Sequence, residues 1–527
     1  MEALETQVLV VGAGPVGLTL ANILGMHGVR TVLVERNAST VNEPRAVSID
    51  DESLRTMQYI GLVDTVRERI VAGYGSHYFS AGGSCFAKVL PDTLEYGFPR
   101  RSAFRQPVLE AQLREGLARF PSVEVRFSTR VEQVEDVGSH VRVKLGSRDG
   151  EVRAQYVVAC DGARSPIREA LGIAMSGGTY DNRWLIVDLA GSMDRFRHTR
   201  VFCDPARPGL QLPGPDGTRR YEFMLLPGED PDAFLEESNV RALLARHSAE
   251  DAGLTIVRKV IYHFHARLAE RWRAGRIFLA GDAAHLSPPF AGQGMNSGLR
   301  DAQNLGWKLA WCLDGALAPG LLETYEMERK PHAAALIQMA VRMGHVMMPR
   351  GRLRAFATQA AFRALALYKP ARDYVMQMKY KPPPRFAQGF LVGDAGAGVR
   401  GRMFIQPQVG RRDGTVVLLD TLLGSGFSAV EWNDGALPNA GVREDRPLDA
   451  RVIHVIPRDH RFVPHAGGAI EEVRDATGSI EALFTRAGIR GVVVRPDRYV
   501  AACLGRASDG AECDRLLEAL RERASAL

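Results

Sequence analysis

Three observations predict an α/β chain interrupted by a β-sheet insertion and closed by a further α/β unit. Residues 8–11 are apolar throughout, and a glycine-rich turn, a helical run over 18–26 and a second apolar run over 31–34 follow in the order strand, helix, strand. Residues 276–309 repeat that plan with a short strand over 277–280, a loop rich in Pro and Gly, and a helix. In that helix Leu299, Ala302, Gly306, Leu309 and Leu313 recur three or four apart, with Arg300, Asp301 and Lys308 at positions between them. From 171 to 276 the pattern changes to short, partly alternating runs at 184–189, 200–203, 221–226 and 257–264, separated by turns such as Pro213-Gly214-Pro215-Asp216-Gly217.

Composition narrows the function. A chain of 527 residues, 46% hydrophobic and 24% charged, has room for about two or three ordinary globular domains. The net charge of +6 is small and scattered, so nucleic acid is not an expected partner. Cys85, Cys160, Cys203, Cys312, Cys503 and Cys513 form no CxxC and no Cys/His cluster of zinc spacing. Reduced thiols in the cytoplasm are expected, and no metal. Residues 7–26 carry no charge and are long enough to span a membrane, but Gly12, Gly14, Pro15 and Gly17 interrupt them. Glu2 and Glu5 are the wrong flank for a signal peptide, so neither a span nor a targeting segment is expected. There are no internal repeats.

The N-terminal motif fits the Rossmann-like dinucleotide fingerprint. Gly12 permits the tight turn, Gly14 lets a pyrophosphate reach the backbone, and Gly17 lets helix and strand pack closely. Glu35, about 20 residues further on at the end of the second strand, is placed to accept bonds from ribose hydroxyls, and an acid there favours FAD or NAD over a 2′-phosphate. A second match, 396–401, precedes a strand-like 403–406 rather than a helix and is rejected. Further along, residues 156–160 read as an apolar strand ending in Asp161-Gly162, with Arg164 and Ser165 beyond. In the second plan the strand ends at Gly281-Asp282, and Gly292, Gln293 and Gly294 bring a loop to a helix start whose first N–H groups lack partners.

Taken together, the 161–165 DGARS run and the 281–309 run GDAAH…PPFAGQGMNSG…RDAQNLGWKL resemble the flavin-dependent aromatic hydroxylases. The resemblance covers roughly the first 330 residues, with the three motifs in the family's order. It implies that Asp282 bonds the ribityl chain of FAD and that the backbone at Gly294, Met295 and Asn296 faces the pyrimidine edge of the flavin. It also implies that Arg45 and Gln106 touch the flavin or its phosphates. The expected cofactor contacts are therefore Gly12, Gly14, Pro15, Gly17, Glu35, Arg36, Arg45, Gln106, Asp161, Gly281, Asp282, Pro289, Gly292, Gly294, Met295 and Asn296.

The expected architecture is a discontinuous FAD-binding domain (1–170 and 271–385), a substrate-binding β-sheet domain (171–270) and a C-terminal domain (400–527). That last domain resembles the thioredoxin-like tail of phenol-hydroxylase relatives without its CxxC, so packing or a homodimer contact is expected of it. The apolar, Arg-rich stretch 351–381 is expected to pack on the FAD domain or a partner subunit rather than lie on a membrane, and Pro382-Pro383-Pro384 to act as a linker. On the last insertion strand either Tyr262 and Phe264 or His263 and His265 face the substrate, because alternation forbids both, with Tyr262, His263 and His265 the candidate acceptors for a phenol. The activity implied by the resemblance is hydroxylation of a phenolic ring. FAD is reduced by NADH or NADPH, O2 adds at flavin C4a, and one oxygen passes to the ring. The 288–298 run is most similar to that of 3-(3-hydroxyphenyl)propionate hydroxylases. An aromatic polyketide hydroxylase is the alternative, and a non-catalytic FAD-binding sensor or a plain NAD dehydrogenase the readings from other classes.

Overall fold

The computed structural model describes residues 3–40, 43, 45–146, 150–434, 446–462, 470–506 and 511–527. Its first sheet has a parallel core in the order Ile277–Leu279, Glu151–Ala159, Leu4–Val11, Thr31–Val34 and Val123–Arg126. Both faces of such a core are covered, which is why its strands read as continuous apolar runs. Helices Pro15–Met26 and Gly294–Leu313 pack against each other on it. Glycine permits their approach: a Cβ on Gly298 would stand 2.5 Å from Val16 Cγ2, and one on Gly306 2.7 Å from Ile23 Cγ2.

The second sheet is antiparallel for most of its width and runs His285–Leu286, Thr255–Ala269, Met175–Ala190, Arg219–Met224, Gly209–Pro213, Thr199–Cys203, Ser76–Ser80 and Cys85–Val89. Its last two strands come from far upstream of the insertion, and Ser76–Ser80 joins Thr199–Cys203 in parallel. The stretch expected to lie on the FAD domain forms two helices, Arg352–Leu367 and Lys369–Met376. They pack on this sheet's edge strand Cys85–Val89, through Phe362 against Phe86. Among the described residues no helix is long and apolar enough to cross a membrane.

The third sheet carries the C-terminal unit, with Ser428–Trp432, Arg451–Ile456 and Ile470–Asp475 parallel and Ile489–Val494 and Val500–Gly505 antiparallel beside them. This is the expected fold class, a Rossmann-like unit with an inserted sheet and a thioredoxin-like tail. Residues 403–406 are not a strand; Met403 makes an isolated bridge to Tyr499.

The helix Gly294–Leu313 forms where the apolar spacing places it. It is not amphipathic but buried on every side from Asn296 to Ala310, and Arg300, Asp301 and Lys308 are buried with it. Lys308 Nζ donates to Glu328 (2.6 Å) and Asn304 (2.9 Å), and Arg495 of the C-terminal unit donates to both Glu328 oxygens (2.7 and 2.8 Å). A second buried link joins Arg55 and Arg498 to Asp420. Burial alone would raise the Glu328 carboxyl, but Arg495 and Lys308 hold it far below the usual range, so it stays ionised. Glu328→Gln leaves buried Lys308 without its anion and Arg495 with Asp497 alone, and is expected to cost about 3–5 kcal/mol. Thermal unfolding should show a correspondingly earlier melt, with loss of both units together.

Candidate active site

The N-terminal turn is built around spaces that only glycine leaves. Gly12 has φ +108°, and a Cβ there would stand 2.4 Å from the Cys160 carbonyl oxygen. A Cβ on Gly17 would stand 2.0 Å from the Gly12 oxygen. Gly14 differs, since no protein atom lies within 4 Å of its notional Cβ. It caps a helix that starts with Pro15 and has no side-chain cap, so the first-turn N–H groups face open space. Glu35 Oε2 accepts the Ala13 N–H (2.9 Å) and its Oε1 accepts from Asn37, which holds the turn while the carboxylate stays half-exposed. Arg36 and Arg45 are exposed. Gln106 is buried and braces the same region, its Oε1 accepting from Ala46 N (2.7 Å) and its Nε2 donating to Glu110 (2.7 Å).

Across the cleft, Asp161 accepts from Ile167 N, while its Oδ1 is buried without a partner among the described residues. Gly281, with φ +61°, gives its N–H to Asp301 Oδ2 (3.1 Å), which also meets His285 Nε2 (2.6 Å). Asp282 opens to solvent at the cleft floor yet is hemmed in by protein. That crowding raises its carboxyl against the opposing pull of His285 and Arg45. The loop from Pro289, which is exposed, turns through the left-handed Gly292 and delivers Gly294 and Met295, both partly open, to the helix start. Asn296 has no side-chain capacity left. It accepts from Asp50 N and Ser53 Oγ and donates to Ser48 O and Gly292 O, pinning the loop, so only its backbone faces the cleft.

The inserted sheet closes the cleft with one face. Register pairs Trp184 with Met224 and Tyr262, Ile186 with Glu222, and Asp188 with Arg220. Trp184, Met224 and Phe264 cluster on that face with Phe290 of the 289–292 loop, the rings of Trp184 and Phe264 lying 5.9 and 5.6 Å from Phe290. Arg220 Nη1 donates to the Arg45 carbonyl (2.7 Å), so the face meets both cofactor-side segments. The alternation is thereby resolved in favour of Tyr262 and Phe264. His263 is exposed on the other face and His265 bonds Thr179 Oγ1 (2.9 Å), which removes both histidines from the cleft. The Tyr262 hydroxyl accepts from Arg258.

Two groups here were not singled out from the sequence. The Trp184 indole N–H is buried without a partner among the described residues. Glu222 is only 5% exposed, and its nearest cation, Arg220, is 3.9 Å away. Burial pushes its carboxyl up to about 7 despite Arg220, with Asp188 adding to the rise. The one signal for Glu222 was an acid set between Tyr221 and Phe223 in a strand that ends apolar at Met224.

The cradle of Gly12 and Gly17, the space at Gly14 and the orphaned Asp161 oxygen fit a dinucleotide. Residues 5–340 match the family described as FAD binding domain, and residues 401–522 match the HcaD C-terminal domain. The chain belongs to the FAD-dependent aromatic hydroxylases, with FAD as cofactor and NADH or NADPH as co-substrate. It is 40% identical over 525 residues to the 3-(3-hydroxy-phenyl)propionate/3-hydroxycinnamic acid hydroxylase of Klebsiella pneumoniae subsp. pneumoniae, covering 97% of this chain and 94% of that protein. Its counterpart 2 from Burkholderia vietnamiensis is 42% identical over 514 residues, 94% of this chain and 93% of that one. Aklavinone-11 hydroxylase, solved with FAD and aklavinone, superposes with a TM-score of 0.77 at 26% identity over 99% of this chain and 100% of that one. The flavin-dependent monooxygenase PieE shares the fold, with a TM-score of 0.81 at 24% identity over 99% of each chain.

Gly14 and Gly17 separate cofactor from fold. Gly14→Ala should leave the melting temperature of the apoprotein unchanged while weakening FAD about tenfold or more, because only the pyrophosphate needs that space. Gly17→Ala should lose folded protein as well. Glu35→Ala should weaken FAD by about 1.5–3 kcal/mol, read by flavin fluorescence titration.

Proposed function

We propose that the chain hydroxylates a phenolic acid, 3-(3-hydroxyphenyl)propionate or a near relative, beside its ring hydroxyl, consuming O2. The observation that carries this reading is an aromatic-walled sheet face beside a dinucleotide cradle, with one buried acid in its midst, Glu222, that meets Arg220 only at 3.9 Å. Identity of 40% over nearly the full length to the phenylpropionate hydroxylases supports this substrate class over the polycyclic substrate of aklavinone-11 hydroxylase, at 26%. Reduced FAD, when bound, supplies the activation of O2.

The chain's own residues hold, dry and polarise the reactants. Gly12, Gly14, Glu35, Asp161 and Asp282 would hold the cofactor, and the helix start at Gly294 would present N–H groups to the anionic reduced ring. Trp184, Phe264, Phe290 and Met224 exclude water from the reacting edge. Glu222 takes over the acceptor role expected of His263, His265 or Tyr262. The substrate O–H bond breaks, its proton goes to a Glu222 oxygen, and the electron pair left on the phenol oxygen enriches the adjacent ring carbon. Arg220, Asp188, Arg258 and Tyr262 share this face near Glu222 and are already bonded to one another or to the Arg45 loop, while Tyr78 and Tyr380 lie further along it.

Purified enzyme should oxidise NADH or NADPH faster with 3-(3-hydroxyphenyl)propionate and yield a catechol product. Preference for a polycyclic quinone-phenol would replace this substrate assignment with the polyketide one. Because Glu222 accepts a proton only when ionised, kcat/KM should rise with pH through about 7. Glu222→Gln should flatten that rise and cut coupled hydroxylation by about 10²- to 10⁴-fold with FAD content intact. Asp282→Ala should release hydrogen peroxide in place of product; normal coupling would show that Asp282 does not position the flavin.

A further inference from the structure

Arg101 stands beside the aromatic cluster of Trp184, Phe264 and Phe290, next to Tyr78 and Tyr380, and no acid answers it among the described residues. It lies on the short strand Arg101–Ala103, which pairs with Ser48–Asp50 and Val71–Ala72 in a separate three-stranded sheet and reaches Ser76–Ser80 through its side chain. Nη1 donates to Ser76 Oγ (2.8 Å) and Nη2 to the Tyr74 hydroxyl (3.0 Å), and the guanidinium carbon lies 4.5 Å from the centre of the Tyr74 ring. Its Nε is buried without a partner, and no carboxylate comes within 4.0 Å of it among the described residues. Arg101 is half-buried, and the fully buried arginines nearby are matched: Arg300 by Asp50 and Glu52, Arg329 by Asp301, Arg495 by Glu328 and Asp497. A cation taken out of water without an anion is costly, and a guanidinium has five N–H donors, of which Arg101 uses two.

The surroundings tie Arg101 to the substrate face. Tyr78, two residues from Ser76 and on the same face, packs in the cluster of Trp184, Phe264 and Phe290, and Tyr380 packs against it. Both phenols lie close enough to Arg101 to feel its charge. Glu222 and Tyr78 lie on the same face three strands apart, the register running Glu222 to Leu210, Leu210 to Val201 and Val201 to Tyr78. The face thus carries an acid, Glu222, and, three strands away beside Tyr78, a cation with no carboxylate partner among the described residues.

We propose that Arg101 is the anchor for the substrate's carboxylate, receiving it through Nε and a free Nη hydrogen. This rests on the phenolic-acid reading above and names the residue that selects the acid. The polarity of the face sets the orientation, since a carboxylate is repelled by Glu222 and drawn to Arg101, which leaves the ring hydroxyl toward Glu222.

The test compares 3-(3-hydroxyphenyl)propionate with 3-ethylphenol, its analogue without the carboxylate, on the FAD-loaded wild type and on Arg101→Met and Arg101→Lys. Arg101→Met should raise the KM and the dissociation constant of the acid by about 30-fold or more while leaving 3-ethylphenol within about threefold. Arg101→Lys, which keeps the charge and loses the fork, should fall between. Binding followed by the change in flavin absorbance, at matched flavin content and melting temperature, separates loss of the anchor from loss of fold. Equal damage with both substrates, or none with either, would overturn the assignment of Arg101 while the phenolic-acid reading stands. If the wild type itself does not prefer the acid, that reading falls and the anchor with it, and the defect is then visible before any variant is made.

Discussion

The carboxylate of Asp301 is the point on which the cleft hangs. It is wholly buried, and burial alone would keep it neutral, but His285, Arg329 and the Gly281 N–H together pull it below the usual range. One side chain therefore sets the end of the strand Ile277–Leu279, the turn that carries Asp282 and the long helix Thr324–Met347. The helix Gly294–Leu313, which carries Asp301 itself, extends this control to the other rim. Asn296 fixes Ser48 and Asp50, Arg300 binds Asp50 and Glu52, and Gln303 accepts from Thr56. Buried ion pairs contribute little net stability but penalise any displacement heavily, and a cofactor site needs that kind of rigidity.

The C-terminal unit carries the constraint outward. Its Arg495 and Asp497 complete the charge set begun by Lys308, Asn304 and Glu328, and Arg498 completes that of Arg55 and Asp420. The linker does the same, because Lys381 reaches back to Asp50 (3.1 Å) and Glu52 (2.6 Å). Its neighbour Tyr380 is held against the aromatic cluster as a result. A tail without redox cysteines is thus a brace for the site rather than a separate device.

The sequence made the cradle legible because its chemistry is local: glycines, an acid and a helix start within a few residues of one another. The two parallel-sheet motifs and most strand positions could be read for the same reason. Two things could not. Arg300, Asp301 and Lys308 looked like the wet side of an amphipathic helix, since a buried charge and a solvated one are the same letter until its partner is found, and Glu328 and Arg329 lie a helix away. The substrate face was equally hidden, because Glu222 sits on the inserted sheet while Arg101 and Tyr78 come from the first domain. Choosing between Tyr262 and His263 needed only the phase of one strand, which Trp184 and Phe290 set through packing.

The route of the strand Ser76–Ser80 has a bearing on how the protein is made. It is synthesised with its hairpin partner Cys85–Val89 but pairs on its other side with Thr199–Cys203, which leaves the ribosome more than a hundred residues later. A lone two-stranded hairpin is at best marginally stable in water. Tyr78, Phe86 and Val89, all buried in the finished molecule, must therefore wait in the open while the intervening chain emerges. The parallel core waits longer still, for Ile277–Leu279. The nascent chain thus presents apolar strand edges for much of its synthesis, and it is during translation, rather than in the completed enzyme, that this architecture is most open to aggregation.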